Sequence, residues 1–141
     1  MSKYLQLVGV SICLLFAYVW WNPGCRSVRS FDHLERNAKK VLTGAELQVW
    51  ATNLLARYPT NASLSISNLG TDFPKQLLQL APRLGPRVYI YEADTNSPAY
   101  VTLYWGSGML GAKMFEIGPT NFHSLRGGSP WQVPGVYFVK R

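Results

Sequence analysis

The chain has 141 residues, of which 48% are apolar and 15% charged, and its 14 Lys and Arg against 7 Asp and Glu give a net charge of +7. So apolar a composition excludes an extended disordered chain, and the length leaves room for one ordinary domain beside a short accessory segment. Both cysteines, Cys13 and Cys25, lie near the start, which excludes a disulfide framework for the remainder.

From Tyr4 to Trp21 no residue is charged, and Gln6 and Ser11 are the polar interruptions. Such a stretch spans about 27 Å as a helix, close to the thickness of a bilayer core. Tyr4 at one end and Tyr18, Trp20 and Trp21 at the other place amphipathic rings at both interfaces, and Asn22-Pro23-Gly24 then ends the helix. The segment 4–21 therefore predicts a single-pass transmembrane signal-anchor. Cleavage as a signal peptide is disfavoured by the bulky run from Tyr18 to Trp21. Lipidation of Cys25 would suit Gly24, but Asn22 and Pro23 replace the small and aliphatic residues expected before it. The side of the membrane stays open. The excess of Lys and Arg after the anchor favours the cytoplasm, whereas short segments with one Lys also serve export. Asn61-Ala62-Ser63 is a glycosylation sequon only in a secretory compartment.

Residues 22–42 read as a basic juxtamembrane linker or helix. As one helix over 26–42, Arg26, Arg29, His33, Arg36 and Lys40 recur on one face, with Phe31, Leu34, Ala38 and Val41 on the other. The stretch from Arg26 to Lys40 thus suits anionic lipid headgroups, at about 1 kcal/mol per basic residue. The alternative is a helix, capped by Ser30, that packs on its own domain and leaves a solvated charged face. Positive charge gathers here and is thin on the rest of the chain, which argues against a nucleic-acid module.

The segment 43–141 predicts a small α+β domain, two or three helices on an antiparallel sheet of about four strands. Thr43 and Glu46 form a capping box, with Leu42 and Leu47 as a hydrophobic staple. Leu47, Trp50, Ala51, Leu54, Leu55 and Tyr58 follow helical spacing up to Pro59. Leu64 and Ile66 alternate as a short edge strand. Asp72 then caps a short helix to Leu80 that presents Phe73, Leu77 and Leu80 to one side. Strands follow over 87–91, 99–105, 113–117 and 136–140. Alternation puts Val88, Ile90, Val101, Leu103 and Trp105 on one face and Tyr89, Tyr91, Tyr100, Thr102 and Tyr104 on the other.

Candidate chemistry is sparse. Gly106 to Gly111 spells G-x-G-x-x-G, but strand follows it where the dinucleotide fingerprint needs a helix, so a hairpin turn is the better reading and no cofactor is expected. His33 and His123 are the only imidazoles and the domain has no Cys, which leaves no His or Cys metal set. Glu92 and Asp94 flank a turn, where acids cap amides. The tyrosine face is more informative. Tyr89, Tyr91, Tyr100 and Tyr104, with Tyr137, are either a layer covered by helices or a platform for a partner or ligand. The long segment 118–135 adds Asn121, His123, Arg126 and Trp131 as contacts. The expected function is non-enzymatic binding of a protein partner or ligand by a membrane-anchored domain. The alternative is an anchored hydrolase or transferase using His123 with Ser107 or Asp94.

Overall fold

The computed structural model describes residues 11–15, 17–18, 33–80, 85–107 and 111–141. Most of the expected anchor, with Arg26, Arg29, Ser30 and Phe31, lies outside the described residues. Where the anchor segment is described it is helical, and Ile12, Leu14, Leu15 and Tyr18 are exposed. Among the described residues no helix is long and apolar enough to cross a membrane.

Helix α1 spans Leu34–Val41 and buries Leu34 and Ala38, while Arg36, Lys39 and Lys40 stay at the surface. Its apolar stripe packs into the domain core together with Leu42, so the folded body takes in residues from 34 onward. The longer helix α2, Gly44–Arg57, starts at the expected capping box: the Glu46 amide donates to the Thr43 hydroxyl and the Glu46 carboxylate accepts from the Thr43 amide at 2.7 Å. Leu47, Ala51 and Leu54 are its buried stripe, with Trp50, Leu55 and Tyr58 packed partly against the core.

The helix expected from Asp72 to Leu80 is reduced to a single turn, and two other short turns precede it. A four-residue helix α3, Ile66–Leu69, runs into a 3-10 turn at Gly70–Asp72, and helix α4 covers only Lys75–Leu78. Asp72 caps nothing; its carboxylate pairs with Arg57 at the end of α2. Phe73, Leu77 and Leu80 are nonetheless buried as their spacing implies.

The sheet has six strands rather than four, all antiparallel, in the order β1-β2-β3-β4-β6-β5. They are β1 Ala62–Leu64, β2 Arg87–Tyr91, β3 Tyr100–Ser107, β4 Gly111–Ile117, β5 Ser129–Trp131 and β6 Val133–Lys140. Of the two beyond four, β1 falls where the edge strand was expected, although it ends at Leu64 and Ile66 begins α3, and β5 is a three-residue edge strand too short and too broken by Pro130 to show alternation. Ser107 pairs with Gly111 across antiparallel strands, so the glycine motif sits at a hairpin and not before a helix.

Register confirms the split of faces: Val88 opposes Leu103 and Ile90 opposes Val101, while Tyr89 opposes Thr102 and Tyr91 opposes Tyr100. The first set joins Trp105, Phe115, Ile117 and Phe138 in the core beneath α2, which packs on β3, β4 and β6. The tyrosine set faces away from the helices.

Candidate functional site

The face turned from the helices has a capped half and an open half. The capped half is built by the loop between β4 and β5. Phe122 is fully buried, its ring stacked on Tyr100 at 4.8 Å, and Tyr100 stacks in turn on Tyr91 at 4.6 Å and 10°. Tyr137 meets Phe122 edge-on at 5.9 Å and donates from its hydroxyl to the Phe122 carbonyl at 3.1 Å. Gly118 makes room for this ladder, since a Cβ there would come within 2.6 Å of the Phe122 ring. Offset and edge-on rings of this kind add to the stability gained from burial alone.

Beside the ladder lies the most unusual group of the face. Glu116 projects from β4 level with Thr102 and Tyr137 and is 0% exposed. A carboxylate so placed requires partners, and the loop supplies two. The Ser124 hydroxyl donates to one oxygen at 2.5 Å and the Arg126 guanidinium pairs with the other. The Gly128 amide donates to the Ser124 hydroxyl at 2.6 Å, which aims that hydroxyl at Glu116. Arg126 also donates to the Tyr91 hydroxyl at 3.3 Å and places its guanidinium carbon 5.5 Å from the centre of that ring. Burial works against the Arg126 charge, but the hydrogen bond and charge of Glu116 outweigh it and hold the guanidinium above its usual range. Burial is also the main cause that pushes the Tyr100 hydroxyl up.

The open half is a groove of about 420 Å³ lined by Tyr89, Tyr91, Thr102, Tyr104, Ala112, Met114, Arg126 and Arg141. Tyr89 and Tyr104 are half-buried and meet edge-on at 6.3 Å. Gly106 lets the Tyr104 ring lie across β3, since a Cβ there would overlap its hydroxyl. A hollow of similar size on the helix side touches Trp50, Asn53 and Leu54, and its two charged groups, Arg57 and Asp72, are paired with each other.

Of the residues the sequence singled out, the four tyrosines and Arg126 come together on this face, and Tyr137 joins them. His123 is exposed, with Nδ1 3.4 Å from the Tyr137 hydroxyl, and Asn121 is exposed in the same loop. Trp131 does not belong to the face. It is 1% exposed and packs edge-on against Phe115 at 4.8 Å in the core. A bulge between Pro130 and Trp131, followed by Gln132 in the left-handed region, turns the ring inward.

The catalytic alternative finds its parts separated or engaged. Ser107 lies five positions along β3 from Thr102, which is level with Tyr137, or about 17 Å at strand rise. Asp94 accepts from the amides of Asn96 and Ser97 at 2.7 and 2.8 Å, as a turn acid does. Among the described residues no cluster of His, Cys, Asp and Glu fits a metal ion.

Thr102 sits on this face as its alternation with Val101 and Leu103 implies, and Glu116, Met114 and Arg141 complete the face without having been singled out from sequence. For Glu116 a signal was present: it alternates with Phe115 and Ile117, so a core facing one way puts it among the tyrosines. No protein-family model, curated protein or solved structure matches this chain.

Proposed function

We propose that this chain is a membrane-anchored binding domain that engages a partner or ligand through Tyr89, Tyr91 and Tyr104, with the loop carrying Arg126 fixing one wall. The observation that carries the reading is the one-sidedness of the sheet. Helices cover one face, while half of the other presents aromatic rings, cations and a groove. Tyrosine suits such a surface because it buries a large area at low entropy cost and keeps a polar end. A buried, fully partnered Glu116 orders the loop beforehand, so less conformational freedom is lost on binding.

Anchorage is supported by the uncharged stretch 4–21 and by the exposed Ile12, Leu14 and Leu15 where it is described. Arg36 and Lys40 point outward from α1 while Leu34 and Ala38 hold it to the domain, an arrangement suited to contact with anionic headgroups. Alkaline extraction of membranes carrying the full chain tests the anchor, which is expected to stay in the pellet.

The binding face is tested by placing a photo-crosslinking amino acid in the full chain in cells, at Tyr89, Tyr104 or Val49. Val49 is exposed on α2, on the helix side. Adducts are expected from the two sheet positions and not from Val49. Equal yields at all three positions, or none, would refute the reading.

A further inference from the structure

The two edges of the sheet are finished differently. At one end β5 is guarded: Pro130 lacks an amide, a bulge follows it, and Gln132 carries the chain through the left-handed region. At the other end β1 pairs with β2 alone, and the backbone groups on its outer side have no backbone partner among the described residues. Nothing guards this edge, since residues 60–71 hold no charged side chain and no proline. It is also accessible. Ser63 is exposed, Ala62 and Leu64 are only partly covered, and a hollow of about 460 Å³ touches Asn61, Ala62 and Ser63. The edge is held in place as well: the Asn61 side chain accepts from the Glu92 amide at 3.0 Å, and extended backbone continues through Ser65.

Charge supplies a second, independent observation. Two copies of a chain with net charge +7 repel unless they meet at a neutral or complementary patch. The neutral edge is flanked by opposite charges. Exposed Arg87 lies past Leu64 at the start of β2, while exposed Glu92 and Asp94 lie past Ala62 beyond its end. Laid side by side in antiparallel sense, two copies bring the basic end of each beside the acidic end of the other. Parallel pairing would set like against like.

We propose that β1 pairs with β1 of a second copy of this chain about a two-fold axis at Ser63, joining two six-stranded sheets into one. Antiparallel pairing of identical strands is isologous, so the contact closes at two copies. Ser63 faces the second copy's Ser63 on the tyrosine side. Ala62 faces the second copy's Leu64 on the helix side, where the core covers each only in part. The β2 strands of the two copies then lie three strand spacings apart, about 14 Å, so the two tyrosine faces form one continuous surface. The pairing does not depend on what that surface engages.

The test uses the full chain in detergent micelles. With Cys13 and Cys25 replaced by Ser, Ser63→Cys is expected to form a disulfide between copies under a mild oxidant. Val49→Cys, exposed on the helix side, is not. Sedimentation reads association directly. Ser63→Lys or Ser63→Glu alone sets like charges face to face and is expected to weaken association about fivefold. An equal mixture of the two variants is expected to recover the level of the native chain, and unchanged circular dichroism shows that both fold. The proposal is overturned if the native chain sediments as a monomer, if Ser63→Cys couples no better than Val49→Cys, or if the mixture associates no better than either variant alone. None of these outcomes alters the photo-adducts expected from Tyr89 and Tyr104, so the edge and the binding face stand or fall separately.

Discussion

Replacing Arg126 by Ala leaves the carboxylate of Glu116 inside the protein without its counter-ion. Glu116 is fully buried, whereas the Arg126 side chain is 23% exposed. Breaking a fully buried pair costs about 3–5 kcal/mol. Here solvent reaches one partner and the Ser124 hydroxyl still serves Glu116, so the expected loss is about 2–3 kcal/mol. Glu116→Gln keeps an acceptor for Ser124 and for Arg126 and is expected to cost about 1 kcal/mol. The double variant removes the stranded charge and should be less damaged than the sum of the singles by about 1–2 kcal/mol. Urea unfolding followed by tryptophan fluorescence reads these values, and Arg126→Ala should lower the midpoint by roughly 2 M. Additivity within about 0.5 kcal/mol, or a loss below that for Arg126→Ala alone, would mean that the pair does not organise the face.

Thr43→Ala removes the hydroxyl half of the capping box and should cost about 1 kcal/mol at neutral pH in the same assay. Hydrogen bonds from Thr43 hold Glu46 below its ordinary value, so their stabilisation is present above the normal carboxyl range and is lost as pH falls through the lowered value. Part of the gap between native chain and variant should therefore close on acidification; a gap that widens would count against the cap. Trp131→Ala should cost about 3–5 kcal/mol as a core truncation. Trp131→Phe should cost much less, because it also removes a buried indole N–H that has no partner among the described residues; comparable losses would contradict the core assignment. Burial raises the Tyr100 hydroxyl, so its contribution is intact below about pH 10 and is lost as pH rises through the native value. Tyr100→Phe should accordingly flatten the alkaline fall in the unfolding midpoint, and an unchanged slope would show that Tyr100 is not buried.

The parts legible in the sequence were those where a local rule and the tertiary structure agree. Thr43 and Glu46 announced the start of α2, and alternation along β2 and β3 sorted core from tyrosines residue by residue. The misread parts are those where tertiary contacts override local signals. Asp72 looked like a cap, but Arg57 offered a charge partner. Ser129 to Trp131 looked like loop because Pro130 and the flanking glycines break any strand pattern, yet the edge of β6 accepts three residues there. Trp131 is expected among the contacts because it lies in the long segment 118–135, and long loops often carry binding residues. Its inward turn depends on Gln132, whose side-chain carbonyl also accepts from the Gly44 amide at the start of α2, a contact between distant parts of the chain. Within the candidate site, the tyrosines were visible through their period. The Glu116–Arg126 pair was not, since only the folded loop brings Arg126 over β4.

The most direct measurement of the central claim compares tyrosine nitration in intact membranes with nitration of the purified full chain, read by peptide mass spectrometry. If the open half of the sheet is occupied in its native setting, Tyr89 and Tyr104 will react in the purified chain and be protected in membranes. Tyr58, half-buried on the helix side, will react equally in both. Equal reactivity of Tyr89 and Tyr104 in the two preparations would contradict the account.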